Sequence, residues 1–289
     1  MKVGVVFPQV EIGNEPAAIR DYAQAVEAMG YTHVLAFDHV LGANTASHPT
    51  LKGPYTYKHA FHEPFVVYGF LAAVTRRVEL VTGIVILPQR QTALVAKQAA
   101  TVDVLSGGRL RLGVAVGWNF VEYEALAEDF TTRGRRIEEQ IEVLRALWTN
   151  DLVTVKARWH LVTDAGINPL PVQRPIPIWM GGESEPVLRR AARLADGWMP
   201  HFRPGPEAQA VVDRLHGWVK DAGRDPAKFG VEGRFTLAQV PQDSWSKELA
   251  AWRAMRGITH ISVHTVGLGL KTPAEHVDVL RRFRSEAGV

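Results

Sequence analysis

A chain of 289 residues, 46% of them hydrophobic, is long enough to bury a large core and fits one big α/β domain as well as two small ones. With no cysteine it carries no disulfide, no thiolate-bound zinc or iron–sulfur cluster and no thiol nucleophile. Its net charge is only +3 and its arginines are spread along the chain's helical segments, which argues against nucleic-acid binding.

Met1 to Pro8 enters a strand at once, with no signal-peptide block ahead of it. Lys2 to Phe7 is strand one. Pro16 to Met29 reads as a helix with Ala18, Tyr22, Ala25, Val26 and Met29 on one side, closed by Gly30. His33 to Phe37 is strand two and Val78 to Leu87 a long strand three. Thr92 to Leu105 is helical and ends at Ser106-Gly107-Gly108. Leu110 to Val116 is strand four, followed by helical segments Asn119 to Glu128 and Arg133 to Trp148. Ile176 to Met180 is strand five and Gly197 to Met199 strand six. Pro206 to Asp221 is helical, Val231 to Leu237 is strand seven, and His260 to Val266 strand eight. Thr272 to Ser285 is the last helix, with Thr272 as its cap and Pro273 at its first position. No apolar run approaches a membrane span, so a soluble cytoplasmic protein is expected.

Eight strands alternating with helices predict a (β/α)8 TIM barrel, one domain over residues 1–289, in preference to an open doubly wound sheet. Two stretches exceed the minimal pattern. Val40 to His62 is long, rich in Gly and Pro, and leaves the carboxyl end of strand two, which puts it over the mouth of a barrel. Leu152 to Leu170 reads as a hairpin and loop before strand five.

Three features bear on chemistry. After strand five, Gly181-Gly182 turns the chain into a helix start at Glu183-Ser184, with Pro186 in its first turn. Free amides there suit a phosphate, and an ordinary βα turn is the alternative. In strand four, Arg109, Arg111, Gly113, Ala115 and Gly117 share the side away from Leu110, Leu112, Val114 and Val116. If the apolar side meets the helices, the small residues face the axis and either leave room for a planar ring or pack against larger neighbours. In strand eight, His260, Ser262 and His264 face inward, with His264 nearest the mouth. Asp38-His39 ends strand two, where a histidine either moves protons or shapes the loop.

Taken together, these segments resemble the bacterial-luciferase-like flavin and deazaflavin oxidoreductases, above all their F420-dependent branch. The resemblance spans nearly the whole chain and rests on Phe37-Asp38-His39; Glu63-Pro64-Phe65 running to Thr75; Leu80 to Ile84; Ala96 to Asp103 with Ser106 to Arg109; Gly113 to Trp118; Arg133 to Trp148; and Gly181-Gly182 with Ala195 to Trp198. It implies a flavin or 5-deazaflavin ring in the barrel mouth, held by Asp38, Thr82, Gly83, Ile84, Gly117 and Trp118. The cofactor phosphate would lie at Gly181, Gly182 and Glu183. Strand three would bulge at Gly83-Ile84, often with a non-proline cis peptide. His39 is the implied acid/base residue, and Tyr55, Tyr57, His201 and His264 are candidate substrate-lining residues. Coenzyme F420 is the expected cofactor and FMN the alternative. A small organic substrate and a homodimer are expected, with no metal. Trp118 stands where the family's sugar-phosphate dehydrogenases carry glutamate, which argues against such a substrate. Lys52, Lys58, Arg90 and Arg203 either form a cationic rim for the glutamyl tail of F420 or are solvated surface charges.

The rival readings are an FMN-dependent monooxygenase, a metal-dependent barrel hydrolase prompted by His59 and His62, and a cofactor-binding protein without turnover.

Overall fold

The computed structural model describes residues 1–289. Eight parallel staves close into a barrel. Its strands are β1 (Lys2–Val6), β2 (His33–Ala36), β3 (Glu79–Thr82), β4 (Val85–Ile86), β5 (Leu110–Ala115), β8 (Ile178–Gly181), β9 (Gly197–Met199), β10 (Gly230–Thr236) and β11 (His260–His264). Hydrogen bonding runs β3-β2-β1-β11-β10-β9-β8-β5-β4, and the β3–β5 pairing closes the ring. The remaining two strands, β6 (Val153–Lys156) and β7 (Leu161–Ala165), form the antiparallel hairpin expected ahead of the fifth stave.

The third stave departs from the sequence reading. Instead of one strand to Leu87, it breaks between β3 and β4 at Gly83-Ile84, whose peptide is cis, and Leu87–Gln89 forms a 3-10 turn. Nine helices surround the barrel: α1 (Pro16–Ala28), α2 (Pro64–Val74), α3 (Thr92–Ser106), α4 (Phe120–Ala125), α5 (Arg133–Thr149), α6 (Glu185–Leu194), α7 (Pro206–Asp221), α8 (Trp245–Ala254) and α9 (Pro273–Ala287). Their ends follow local chemistry. Glu63 accepts from the Val66 amide at 2.8 Å to open α2, Gly107 in the left-handed region closes α3, and Thr272 with Glu275 forms a capping box on α9. No helix is long and apolar enough to cross a membrane.

Strand parity separates two interiors. Leu112, Val114, Phe235, Ile261 and Val263 point outward and join a helix–sheet core of 63 buried residues. Inside the barrel, Val6, Leu35, Val81, Trp179 and Met199 make a compact layer. Polar residues lie there as well: His33 contacts Glu232 and the Ser262 hydroxyl, both at 2.9 Å, and Glu232 pairs with Arg111. Burial alone would raise the Glu232 carboxyl, but Arg111 and His33 hold it well below the usual carboxylate range. This inward ion cluster, stacked under Trp179 with Arg111 4.3 Å from the indole, floors the barrel. The cavity lies above it.

Candidate active site at the barrel mouth

A cavity of about 330 Å³ opens at the carboxyl ends of the staves. That is the low end of small-molecule sites, roughly 300–1,000 Å³. Phe37, Asp38 and His39 reach it from the end of β2, and Gly83, Ile84 and Ile86 from the broken stave. Gly117 and Trp118 follow β5, while His201 and Arg234 come from the opposite wall. Pro54 and Tyr55 of the long insertion complete the lining. The insertion folds back over the mouth: a Cβ on Gly53 would meet the Trp118 ring at 2.2 Å, so only glycine lets the strap lie on the indole.

His39 is half-buried and ringed by aromatics, with Phe61 at 4.8 Å, Tyr55 at 5.3 Å and Trp118 at 5.6 Å between centroids. Its Nδ1 lies 3.2 and 3.3 Å from the two carboxylate oxygens of Glu122, which is fully buried on α4. The amides of Val40 and Leu41 donate to the same carboxylate at 2.9 and 3.2 Å, and Gln89 at 3.3 Å. Backbone amides can only donate, so the carboxylate is an acceptor here and Nδ1 carries the proton. Nε2 then has a lone pair and no protein partner. A carboxylate–histidine pair thus fixes ring and tautomer in one stroke. The fold around α4 makes this possible: Asn119 caps the helix and its amide donates to Leu41 O at 3.3 Å, tying it to the start of the insertion.

Several expected residues have other employment. Asp38 is buried and its carboxylate accepts from Arg90 at 2.8 Å and from the Ile86 amide at 3.1 Å. Burial raises its pKa, and Arg90 opposes the rise. Arg90 also pairs with Glu63 at 2.8 Å, so it is an internal clamp and no part of a cationic rim. Lys52 and Lys58 are exposed, and exposed Arg203 pairs with Glu248 at 2.9 Å. Thr82 is buried with its hydroxyl on Gly113 O at 2.7 Å, behind the cavity wall. Gly113 offers no room for a ring: a Cβ there would meet Thr82 O at 2.0 Å, so its smallness serves strand packing. Gly117, with φ +66°, does line the cavity and faces Ile86.

Tyr57 corrects an expectation. It is 58% exposed and outside the cavity, because the alternation that governs strands does not extend into the insertion. His264 stands behind Phe37, ring centroids 5.7 Å apart, and does not form the lining. Its Nε2 is buried without a partner. Burial, then the charge of Arg234, pulls His264 down to about 3. No three acidic or histidine side chains converge on a metal-sized site, and His59 instead accepts from the Thr56 amide at 3.0 Å.

The glycine turn after β8 is built as its order suggests. Gly182 has φ +112°, and Trp198 donates to its carbonyl at 2.7 Å. The amides of Gly182, Glu183 and Ser184 donate to no group of the protein ahead of α6. Gly181 touches Ile84 of the cavity wall, so the turn adjoins the mouth. The Glu183 carboxylate is turned aside and accepts from the His201 amide at 2.7 Å. Two residues escaped the sequence reading, Glu122 and Arg234. Alternation along strand seven contained the signal for Arg234, because Val231, Gly233 and Phe235 must face out if Glu232 and Arg234 face in.

A closed parallel barrel carries an aromatic, histidine-bearing cavity at its carboxyl end, beside a turn of unpaired amides, and that end is where barrel enzymes place their active sites. The chain matches the luciferase-like monooxygenases over residues 1–284 and belongs to that family. An uncharacterized protein of Mycobacterium tuberculosis is 35% identical over 210 residues, 70% of this chain and 71% of that protein. The FMNH(2)-dependent dimethylsulfone monooxygenase of Pseudomonas putida is 31% identical over 193 residues, 65% of this chain and 52% of the enzyme. Among solved structures, the monooxygenase RslO1 from Streptomyces bottropensis superposes with a TM-score of 0.77 at 20% identity, covering 99% of this chain and 98% of the other. An F420-dependent secondary alcohol dehydrogenase bound to an F420–acetone adduct superposes at 0.76 and 18% identity, covering 98% and 99%. These likenesses in structure establish a common fold.

Proposed function

We propose that this protein is an F420-dependent oxidoreductase that moves a hydride to or from a small organic substrate. The observation that carries the reading is His39, its Nδ1–H held by buried Glu122 and its Nε2 free at the cavity. When bound, the deazaflavin supplies two-electron hydride chemistry, and the protein supplies position and charge. The residues present fit such a ring. Gly83 and Gly117 keep the wall flat where a Cβ at Gly117 would fall 2.7 Å from Ile86. The amides of Gly182, Glu183 and Ser184 would receive phosphate oxygens. His39 Nε2 gives or takes the proton that accompanies hydride transfer, and Glu122 stabilises the imidazolium form. Trp118, Tyr55 and the insertion keep water from the cavity.

FMN with oxygen is the second reading, favoured by the likeness to the FMNH(2)-dependent enzyme. Calorimetric titration of the purified protein with F420 and with FMN separates the two. Binding of neither at micromolar concentration defeats both. His39→Ala is expected to keep cofactor binding while turnover falls about 10²–10⁴-fold, the usual contribution of general acid–base catalysis. We also propose a homodimer. Val66 and Phe70 on α2 and Leu94 and Leu105 on α3 are exposed apolar residues on adjacent helices, and a second copy would cover them.

A further inference from the structure

We infer that the cavity wall formed by Arg234 is an oxyanion subsite, and that the substrate is a small organic acid whose carboxylate or sulfonate docks there. The inference rests on the cavity being the active site and adds a substrate class to it.

Arg234 extends inward from β10, one layer above Glu232. Its guanidinium lies 4.7 Å from the Phe37 ring. It forms no ion pair and donates no hydrogen bond to any protein group, unlike the other inward arginine, Arg111, which pairs with both Glu79 and Glu232. The two nearest carboxylates are committed elsewhere. Glu232 serves Arg111, His33 and Ser262, and Glu183 holds the His201 amide. The neighbours cannot neutralise it. Imidazoles such as His201 and His264 carry no negative charge in either state, and burial raises the pKa of the Tyr55 phenol. The wall therefore presents a guanidinium with five N–H donors and no carboxylate paired to it. A half-buried guanidinium without an acceptor is costly, and a planar fork of donors matches the two oxygens of a carboxylate or sulfonate. Phe37 beneath the fork holds it flat, so an anion that binds it meets a preformed partner.

The test uses wild-type protein and the Arg234→Met and Arg234→Lys variants, each with and without F420. Sodium propionate, sodium methanesulfonate and neutral propionamide are titrated by calorimetry. Wild type is expected to bind the two anions about 10- to 100-fold more tightly than the amide, as a hydrogen bond to a charged group commonly contributes. Arg234→Met should abolish the preference and Arg234→Lys should retain part of it. F420 affinity in both variants should stay within about threefold of wild type, with unchanged melting. Equal affinity for propionate and propionamide in wild type overturns the inference without any variant. So does a preference that survives in Arg234→Met, or a loss of F420 affinity with the preference intact, which would assign the charge to the cofactor. Anion binding in a protein that takes up neither F420 nor FMN would refute the proposed function and leave the subsite standing.

Discussion

Replacing Glu122 by glutamine tests the histidine assignment at its root. The change keeps size and leaves one acceptor oxygen for the Val40 and Leu41 amides, now at 2.9 and 3.2 Å. The other oxygen becomes an NH2 group facing His39 and Gln89. Gln89 can turn its amide over, since its own Oε1 is buried without a partner. His39 cannot adapt without consequence. Nδ1 stands 3.2 Å from Oε1 and 3.3 Å from Oε2; with Oε1 already accepting from two amides and Oε2 replaced by a donor, the ring is expected to shift its proton to Nε2, and the lone pair at the cavity is lost. Charge-assisted bonds become neutral ones, which costs about 1–2 kcal/mol. At roughly 2–4 °C per kcal/mol, melting falls by about 2–8 °C. The rate of substrate turnover falls much further, about 10²–10⁴-fold, because the general base is occupied. Stopped-flow absorbance of the loaded enzyme reads the rate. Nitrogen-15 spectra of the His39 ring read the tautomer, Nδ1–H in wild type and Nε2–H in the variant. A wild-type ring protonated at Nε2, or a variant turning over within twofold of wild type, refutes the reasoning.

Three further outcomes are expected. His260 and His264 are both held near 3, mainly by burial, against an unfolded value of about 6.5. Between these values the unfolded chain binds more protons, so their contribution to stability is full above about pH 6.5 and falls as pH drops toward 3. By pH 5 each should cost on the order of 1–2 kcal/mol, read as a lower urea midpoint than at pH 7.5; equal midpoints would contradict it. Gly117→Val puts a branched side chain at φ +66° against Ile86 and should weaken cofactor binding at least about tenfold; unchanged affinity would mean the ring lies elsewhere. Sedimentation of wild type should give twice the chain mass, and Val66→Glu with Leu94→Glu should give a monomer that still binds cofactor; a monomeric wild type removes the dimer.

The stave order, the hairpin before β8 and the position of the glycine turn were legible because each rests on near-neighbour patterns: period-two alternation, Gly and Pro punctuation, helix caps. The interruption at Gly83-Ile84 was legible only through resemblance, since Val78 to Leu87 reads as unbroken apolar strand. What stayed hidden depends on partners distant in sequence. Glu122 sits on a helix of six residues, too short for periodicity, and meets His39 across 83 positions. Arg90 looks like any surface arginine until Asp38 and Glu63 converge on it. Helix α8 was left unbounded because Trp245, Leu249 and Trp252 give it only three buried positions in ten residues. Gly113 was legible as an inward glycine, yet whether a ring or a neighbouring carbonyl fills its space is decided by strand separation.

The ion cluster of Arg111, Glu232 and His33 under Trp179 has a kinetic consequence. With all four side chains buried, the barrel is sealed beneath the cavity. Traffic enters at the carboxyl end, beside the strap that rests on Trp118. Two visitors sharing a blind alley must queue: whichever lies deeper arrives first and departs last.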